Sequence, residues 1–411
     1  MVGCWTTTPL LAEEGMLGDT LSGLLDYARQ HNPDYQAMYH ESLAAEARAA
    51  GAGALADPKF RVEWRDITRF GEQSPTLDPS RVGSTRYLLM QDLPWFGKRD
   101  LQQQVAAAEA SGAESQVTSA WVDLVARLRS LQIERYFGQQ NRQLLQQTVD
   151  LMRQLEQTVR SRYAAGLTMQ QDVIRVQMEQ TSLRSEQLAF ETEQHHLDHR
   201  LNALLGRPAN AVLAPAQPLP PLPDDDRLQL DQLEQRLRQR NPQWLLSSSR
   251  VLGAEKNRDL TYRNRYPDVT VGLSPIQYRN AVREWEVMAE INIPLQQQAR
   301  RAREREAHEM LAVAQQRQEA TANQLLAQLA TTLTDIGTAR RNEQLIRTTL
   351  LPQTQINHQS ALSGYQAGRV DFTTLLESQR QLRQVQQNHI KAQSAVQMAL
   401  AELTQLLGEE P

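Results

Sequence analysis

Two periodicities alternate along the chain. Short stretches such as Trp285–Ile293 carry an apolar residue at every second position, with glutamates among the residues between them, which predicts β-strands that are apolar on one face. Long stretches carry apolar residues three and four positions apart, which predicts helices with a coiled-coil seam. The seam residues are Val117, Trp121, Leu124, Leu128 and Leu131, followed by Leu145, Val149 and Met152. A helix from Lys98 to Tyr163 would be roughly 100 Å long at 1.5 Å per residue, too long for a compact domain.

The chain repeats itself. Tyr163–Gly166 recurs as Tyr365–Gly368, and the match continues without a gap to the Leu-Leu-Gly that ends each copy. Upstream, Asn32–Tyr35 matches Asn241–Trp244. The two matches lie at offsets of 202 and 209 residues (365 − 163 and 241 − 32), and self-similarity at nearly the same offset indicates two copies of one structural unit. In each copy the pattern predicts a helix, two strands, a long helix and a further helix, in that order.

The predicted boundaries follow from this repeat. A leader remnant with an N-terminal extension occupies 1–26, and the first repeat follows at 27–208. A proline-rich linker at 209–228, which we expect to be an extended spacer, leads to the second repeat at 229–408. The strands are expected at about 58–70 and 86–94 in the first repeat, and at about 267–276 and 284–294 in the second. The long helical hairpins are expected at 98–205 and 297–407, with tips at 163–172 and 365–374.

Local signals define the helix ends. Thr168 and Gln171 form a capping-box pattern for the helix after the first tip, and Asp371 is the expected N-cap after the second. Pro352 is expected to kink or restart the long helix of the second repeat, because proline lacks the backbone N–H.

Composition narrows the function classes. The net charge of −4 gives no indication of a nucleic-acid partner. No glycine-rich phosphate loop and no Ser–His–Asp pattern occurs, so we predict neither an enzyme nor a cofactor. The single cysteine, Cys4, lies in a segment that resembles the end of a bacterial lipoprotein signal, which makes it a candidate for lipidation; Pro9–Ala12 could instead end an ordinary secretory signal.

The four strands suggest contact with lipid. Their length suits a tilted bilayer span, and aromatic residues lie near their ends. The alternative is a sheet half-buried on a soluble core. Four strands cannot close a barrel, and open strand edges are not tolerated in lipid, so spanning strands require association of several chains. The charged face would then line a lumen that carries Glu63, Glu284, Glu286 and Glu290.

Three motifs carry a family resemblance. The doubled pattern resembles TolC-like outer-membrane efflux proteins over nearly the whole chain. Gln91–Arg99 resembles the strand-to-helix junction of the heavy-metal cation-efflux (Czc/Cus-type) branch of that family. Leu350–Gln353 and Tyr365–Phe372 resemble the last hairpin of the family.

The resemblance implies a mainly α fold with a small β part. Three chains would form a twelve-stranded β-barrel in the outer membrane, joined to a long α-helical coiled-coil barrel in the periplasm. The partners would be two further copies of the chain, outer-membrane lipid, a periplasmic adaptor (membrane fusion) protein and an inner-membrane RND-type pump driven by protons. The adaptor would dock on tip residues Tyr163, Gly166, Leu167, Tyr365, Gly368 and Arg369.

The resemblance also implies a channel constriction. Family members carry acidic side chains just inside the last helix, at the positions of Thr374 and Glu377, and only Glu377 keeps the acid. In the first repeat, Asp172 matches the first of these positions and Arg175 the second.

Two other readings stay open. A soluble periplasmic coiled-coil scaffold or adaptor is the alternative function, although adaptors usually have a single hairpin flanked by other domains. A metal-binding protein is the third, because His195 and His199 share a helix face at i and i+4, a spacing that can bind a divalent cation. The sequence leaves the cargo open between metal cations and drugs.

Overall fold

A computed structural model of the chain describes residues 17–18, 20–223 and 228–409. The first repeat contains α1 Leu21–His31, α2 Pro33–Ala52, β1 Lys59–Arg65, β2 Ser84–Leu93, α3 Lys98–Ala164 and α4 Gln170–Leu204. The second contains α5 Leu230–Arg240, α6 Pro242–Arg263, β3 Asp268–Tyr278, β4 Ala281–Asn292, α7 Gln297–Leu345, a π-helical segment Ile346–Leu350, α8 Leu351–Gln366 and α9 Phe372–Leu407. This order confirms the mainly helical fold built from two tandem copies, with two short helices rather than one opening each copy.

The described residues form two compact units. The hairpin unit holds the residues up to Ala37, Thr118–Asn241 and the residues from Gln324 onwards. The sheet unit holds Met38–Val117 and Pro242–Asn323.

The core of the hairpin unit is the predicted seam. Leu124, Leu128 and Leu131 of α3 are buried, and so are Leu145, Val149 and Met152. The latter three join one apolar cluster with side chains of α4, α8 and α9, where Val176, Leu183, Ala361, Tyr365, Phe372, Leu375 and Leu376 are buried. Each fully buried leucine contributes about 1.5–3 kcal/mol relative to an exposed one.

The repeat is visible in one hydrogen bond that is made twice. The side-chain amide of Asn32 donates to the Leu204 carbonyl at 2.8 Å, and that of Asn241 donates to the Leu406 carbonyl at 2.8 Å. Both asparagines are buried. Each bond satisfies a backbone carbonyl at a helix C-terminus, which has no partner within its own helix.

The helical surfaces are largely polar. Among the described residues, no helix combines the length and the apolar character that a membrane crossing requires.

Pro352 interrupts its helix as expected. Immediately before it, the backbone N–H of Leu351 bonds to the Ile346 carbonyl, five residues back, and the turn from Ile346 to Leu350 is π-helical. Because proline offers no backbone N–H, the α-helical pattern cannot pass through this position unchanged.

Two local predictions were wrong. The N-cap of α4 is Met169, not Thr168, and it makes no side-chain capping bond. The Thr168 hydroxyl donates instead to the Asp172 carboxylate at 2.6 Å, so no capping box forms. The first strand ends at Arg65 rather than near Phe70, because Asp66 adopts a positive φ of 53° and its carboxylate accepts the Phe70 amide at 2.9 Å.

The proline-rich linker is held against the hairpin unit. Its residues up to Pro223 form neither helix nor strand, and Ala214 and Ala216 are buried. Its backbone carbonyls accept hydrogen bonds from the side chains of Arg135, Gln397 and Arg340. The segment is therefore packed rather than a free spacer. Asp224–Asp226 lie outside the described residues.

Candidate functional site

The four strands form one antiparallel sheet in the order β1-β2-β3-β4, entirely within the sheet unit. Pairing places directly opposite residues on the same face, as in Phe60–Leu89, Leu89–Leu273 and Leu273–Val287. We call this side the apolar face; it carries Phe60, Val62, Trp64, Tyr87, Leu89, Val269, Val271, Leu273, Trp285, Val287, Ala289 and Ile291. The opposite side, the polar face, carries most of the strand charges.

The apolar face is open. Val287 is 82% exposed, Phe60 66% and Ile291 55%, while Val62 is half-buried. A soluble sheet with one polar side normally packs its apolar side on a core. Here the predicted alternative of a half-buried sheet does not hold for Val287 and Ile291, because no part of the described chain covers them.

The sheet also has two open edges. Among the described strands, β1 pairs only with β2, and β4 pairs only with β3. The outer edge of each therefore presents backbone N–H and C=O groups that no described strand satisfies. Such an edge is a template for pairing with another chain.

Arg86 partly neutralises the polar face. Its guanidinium lies 2.7 Å from the Glu286 carboxylate and 3.8 Å from that of Glu63, and it donates to the Ser274 hydroxyl at 2.9 Å. Glu63 and Glu286, two of the four predicted lumen glutamates, therefore lie on either side of the Arg86 guanidinium, which offsets their charge.

Glu284 and Glu290 lie apart from that arginine. The Glu284 carboxylate accepts a hydrogen bond from the Tyr278 hydroxyl at 3.1 Å, and both glutamates are exposed. They carry most of the uncompensated acidity of the polar face.

The junction motif Gln91–Arg99 has a structural explanation. Gly97 has a positive φ of 80°, which allows the chain to turn from β2 into α3. The Lys98 ammonium lies 2.8 Å from the Asp268 carboxylate and donates to the Tyr266 carbonyl at 2.9 Å. The Trp95 ring stacks on Tyr266 with 5.8 Å between centroids. These contacts join the start of α3 to the start of β3, so the motif maintains the architecture of the sheet unit.

The two hairpin tips are the same turn built twice. Gly166 has φ 73° and Gly368 has φ 70°, a left-handed conformation that favours glycine at a helix end. The first turn is closed by a bond from the Leu167 amide to the Arg162 carbonyl, and the second by one from Arg369 to Gly364, each at 2.8 Å. The residue that follows the glycine is exposed in both turns, Leu167 in the first and Arg369 in the second.

The predicted docking residues differ in exposure. Tyr163 is 47% exposed and Leu167 68%, and Gly166, Gly368 and Arg369 are also exposed. Tyr365, the repeat partner of Tyr163, is 4% exposed and packs edge-on against Phe372. The Arg162 guanidinium lies 4.8 Å from the Tyr365 ring centroid and donates to its carbonyl. Burial also raises the pKa of Tyr365. Tyr365 therefore packs beneath the second tip and does not contribute to an exposed docking surface.

The predicted constriction residues differ in exposure and in the contacts they make. Asp172 is half-buried, bonded by the Thr168 hydroxyl and 3.6 Å from the Arg175 guanidinium. The side chain of Thr374 is exposed, and its backbone amide bonds to the N-cap Asp371 at 2.9 Å. Glu377 is exposed and makes no salt bridge or hydrogen bond within the described chain. Of the three, only Glu377 is an acid with no such contact.

Two ion-pair sites were missed by the sequence reasoning. Glu179 of α4 is buried and accepts hydrogen bonds from Arg380 of α9, which raises the pKa of that arginine. Glu186 of α4 accepts hydrogen bonds from Arg383 and Gln387 of α9. These residues lie about 200 positions apart, and only the repeat offset could have suggested that α4 and α9 are neighbours.

The histidine pair is on the surface of α4. His195 and His199 are exposed, with 6.4 Å between ring centroids, and His199 Nδ1 lies 2.7 Å from the Ala209 carbonyl oxygen. In the part of the chain that the structure describes, no group of three or more His, Cys, Asp or Glu residues is placed to hold a metal ion. Cys4 lies outside the described residues.

Comparison with known proteins gives a consistent picture. The sequence matches the family described as outer membrane efflux protein twice, over residues 24–207 and over 233–409. No curated protein matches it.

Solved structures share the fold. The outer-membrane channel OprN has a TM-score of 0.79 at 19% identity, covering 94% of this chain and 89% of that chain. VceC from Vibrio cholerae has a TM-score of 0.79 at 16% identity, covering 95% and 96%. CusC has a TM-score of 0.72 at 18% identity, covering 96% and 93%. Identities this low establish the fold and do not distinguish one branch from another.

Proposed function

Because the chain belongs to the outer membrane efflux protein family, we propose that it is the outer-membrane channel of a tripartite, proton-driven efflux system and acts as a passive exit duct. The observation that carries the proposal is the sheet, whose apolar face is exposed and whose two edges are unpaired. The family description names transport rather than a chemical reaction, in keeping with the absence of catalytic motifs from the sequence.

Contact with lipid and pairing with further copies of the chain together account for the exposed apolar face and the unpaired edges of the sheet. A hydrocarbon environment favours the apolar face but leaves open strand edges unsatisfied, at several kcal/mol per lost backbone hydrogen bond. Pairing β4 of one copy with β1 of the next would satisfy both edges. Three copies give twelve strands, an even number within the range of bacterial barrels. The polar face then lines the lumen, and Glu284 and Glu290 bias it towards cations.

The tips are the proposed docking surface. Tyr163 and Leu167 form an exposed apolar surface on a turn whose backbone is fixed by the left-handed Gly166. We assign this surface to the periplasmic adaptor, which links the channel to an inner-membrane pump. Glu377, exposed in the second turn of α9, is the proposed constriction residue.

We propose heavy-metal cations as the cargo, on the resemblance of Gln91–Arg99 to that branch of the family. Organic drugs are the competing cargo.

Fractionation and conductance test the duct. The protein should sediment with outer membranes, require detergent for extraction, and conduct ions in a planar bilayer without an energy source. Glu377→Ala should change the conductance or ion selectivity, while the same substitution at the exposed Glu402, near the far end of α9, should not. A protein that is soluble and monomeric without detergent would instead support the soluble scaffold or adaptor.

Growth assays test the cargo. Deletion of the gene should lower the tolerated concentration of a divalent metal such as Zn²⁺ or Cu²⁺ and leave drug tolerance unchanged. Loss of drug tolerance alone would replace metal by drug as the cargo and leave the duct intact.

A further inference from the structure

His195 and His199 have the geometry of a metal site that the proposed duct does not require. They are the only two histidines of the chain spaced at i and i+4, and they lie near the C-terminal end of α4. This spacing puts two side chains on one helix face, one turn apart. Both are exposed, and their rings are nearly parallel, with 23° between the planes and 6.4 Å between the centroids.

The hydrogen bond of His199 fixes its tautomer. Its Nδ1 lies 2.7 Å from the Ala209 carbonyl oxygen, which can only accept, so Nδ1 carries the proton. The neutral ring then has its lone pair on Nε2. Metal-binding histidines usually donate their second ring nitrogen in this way, to a carbonyl or carboxylate that orients the ring.

The carbonyl that orients His199 is itself held. The buried Asn202 side chain donates to the Ala209 carbonyl at 3.1 Å and to the Ala211 carbonyl at 2.8 Å. The segment after α4 is therefore fixed against the helix, and His199 is oriented before any ligand arrives.

His195 supplies the second ligand. It makes no hydrogen bond or salt bridge within the described chain and is exposed, so it is free to change rotamer. Binding of both rings to one ion at about 2.0–2.1 Å requires the rings to approach closer than they lie now. Rotation of an exposed side chain between staggered rotamers achieves this at low cost.

We propose that His195 and His199 form a surface site for a divalent transition-metal ion, with His199 as the preorganised ligand. With two protein ligands, water completes the coordination and the ion exchanges readily. Imidazole ligands suit Cu²⁺, Ni²⁺ and Zn²⁺, whereas Mg²⁺ and Ca²⁺ prefer oxygen. The site is independent of the cargo, and its loss would leave the proposed efflux function standing.

His196 provides a matched control. It neighbours the pair on the same helix and is also exposed, but its Nδ1 lies 3.9 Å from the Glu193 carboxylate. Its removal takes away one imidazole and leaves the pair intact.

The test is calorimetry with Ni²⁺ on the full chain, purified in detergent without a histidine tag. His195→Ala and His199→Ala should each weaken binding by at least about tenfold, because loss of even an outer-shell partner costs about 10–100-fold. His196→Ala should bind as the unchanged protein does. Nitrogen superhyperfine structure in the Cu²⁺ electron paramagnetic resonance spectrum should disappear with the pair.

Three results would overturn the site. These are no saturable Ni²⁺ binding to the unchanged protein, equal loss in His196→Ala, or unchanged binding in His195→Ala. Since His195 makes no hydrogen bond or salt bridge within the described chain, its alanine variant should fold, and a matching far-ultraviolet circular dichroism spectrum excludes misfolding as the cause of a loss.

Discussion

Val287→Lys tests whether lipid covers the apolar face of the sheet. Val287 lies near the middle of β4, is 82% exposed in the single chain, and pairs with Leu273 on β3. Lysine at such a position would remain fully hydrated if water covered this face. It would have to enter hydrocarbon if the strand spans a bilayer.

The two environments predict different energies. On a water-covered surface the substitution should change stability by no more than about 0.5 kcal/mol. On the lipid face of a barrel, lysine at the midplane costs about 2–4 kcal/mol, and the mid-strand position of Val287 selects that value over the smaller one near the interfaces. In a trimer the cost recurs three times, about 6–12 kcal/mol in total.

The measurement is the urea dependence of folding into lipid vesicles, together with the fraction of protein recovered in outer membranes as a trimer. Glu290→Lys is the control, since it introduces the same residue three positions along β4 on the polar face. Val287→Lys should lower membrane recovery strongly and Glu290→Lys should not. Equal behaviour of the two variants would refute the assignment of the apolar face to lipid.

Three further predictions concern the hairpin unit. Asn32→Ala and Asn241→Ala should each lower the free energy of unfolding by about 1–3 kcal/mol, because each leaves a helix-terminal carbonyl without its donor; clearly unequal melting temperatures of the detergent-purified variants would contradict the equivalence of the repeats. Arg135→Met should lower the free energy of unfolding by about 2–3 kcal/mol in a thermal melt, because the buried guanidinium donates to Asp198 and to two backbone carbonyls. An unchanged melting temperature would show that water replaces those bonds. Hydrogen bonds from the hydroxyl and backbone amide of Thr374 lower the pKa of Asp371 from its ordinary 3.8, so its cap stabilises α9 above that pH and is lost as the pH falls through the lowered value. The hydrogen-exchange protection factors of the first turn of α9, which take out the pH dependence of the intrinsic rate, should therefore fall in acid, and those of the Asp371→Asn variant should show no such fall.

The repeat explains why the two tips have diverged. The turn itself is conserved between the copies in Gly166 and Gly368, with almost the same φ. Tyr163 is exposed, but its counterpart Tyr365 fills the apolar cluster beneath the second tip, under the Arg162 guanidinium. The two tips share one backbone conformation, but the packing around them differs, so that Tyr163 is a surface residue and Tyr365 a core residue.

Periodicity and repetition in the sequence determined most of the fold. The seam leucines of α3, the glycines at both tips, the interruption at Pro352 and the alternation along β4 each follow from a local rule, because helix and strand geometry fix which residues share a face. The resemblance of three short motifs added the family. Local rules failed at Thr168 and Asp66, where a side-chain hydrogen bond redirected the backbone.

Only the tertiary structure decided which charges meet. The grouping of Glu63 and Glu286 around Arg86, the burial of Glu179 against Arg380, and the anchoring of His199 by Ala209 all depend on how segments pack. The first two join residues that lie up to about 200 positions apart in the chain. A charged residue on a predicted face has the same local pattern whether it is free or paired. Pairing depends on the three-dimensional neighbour, and for that reason the contact of Glu63 and Glu286 with Arg86 and the hydrogen bond between His199 and Ala209 could not be predicted from the sequence.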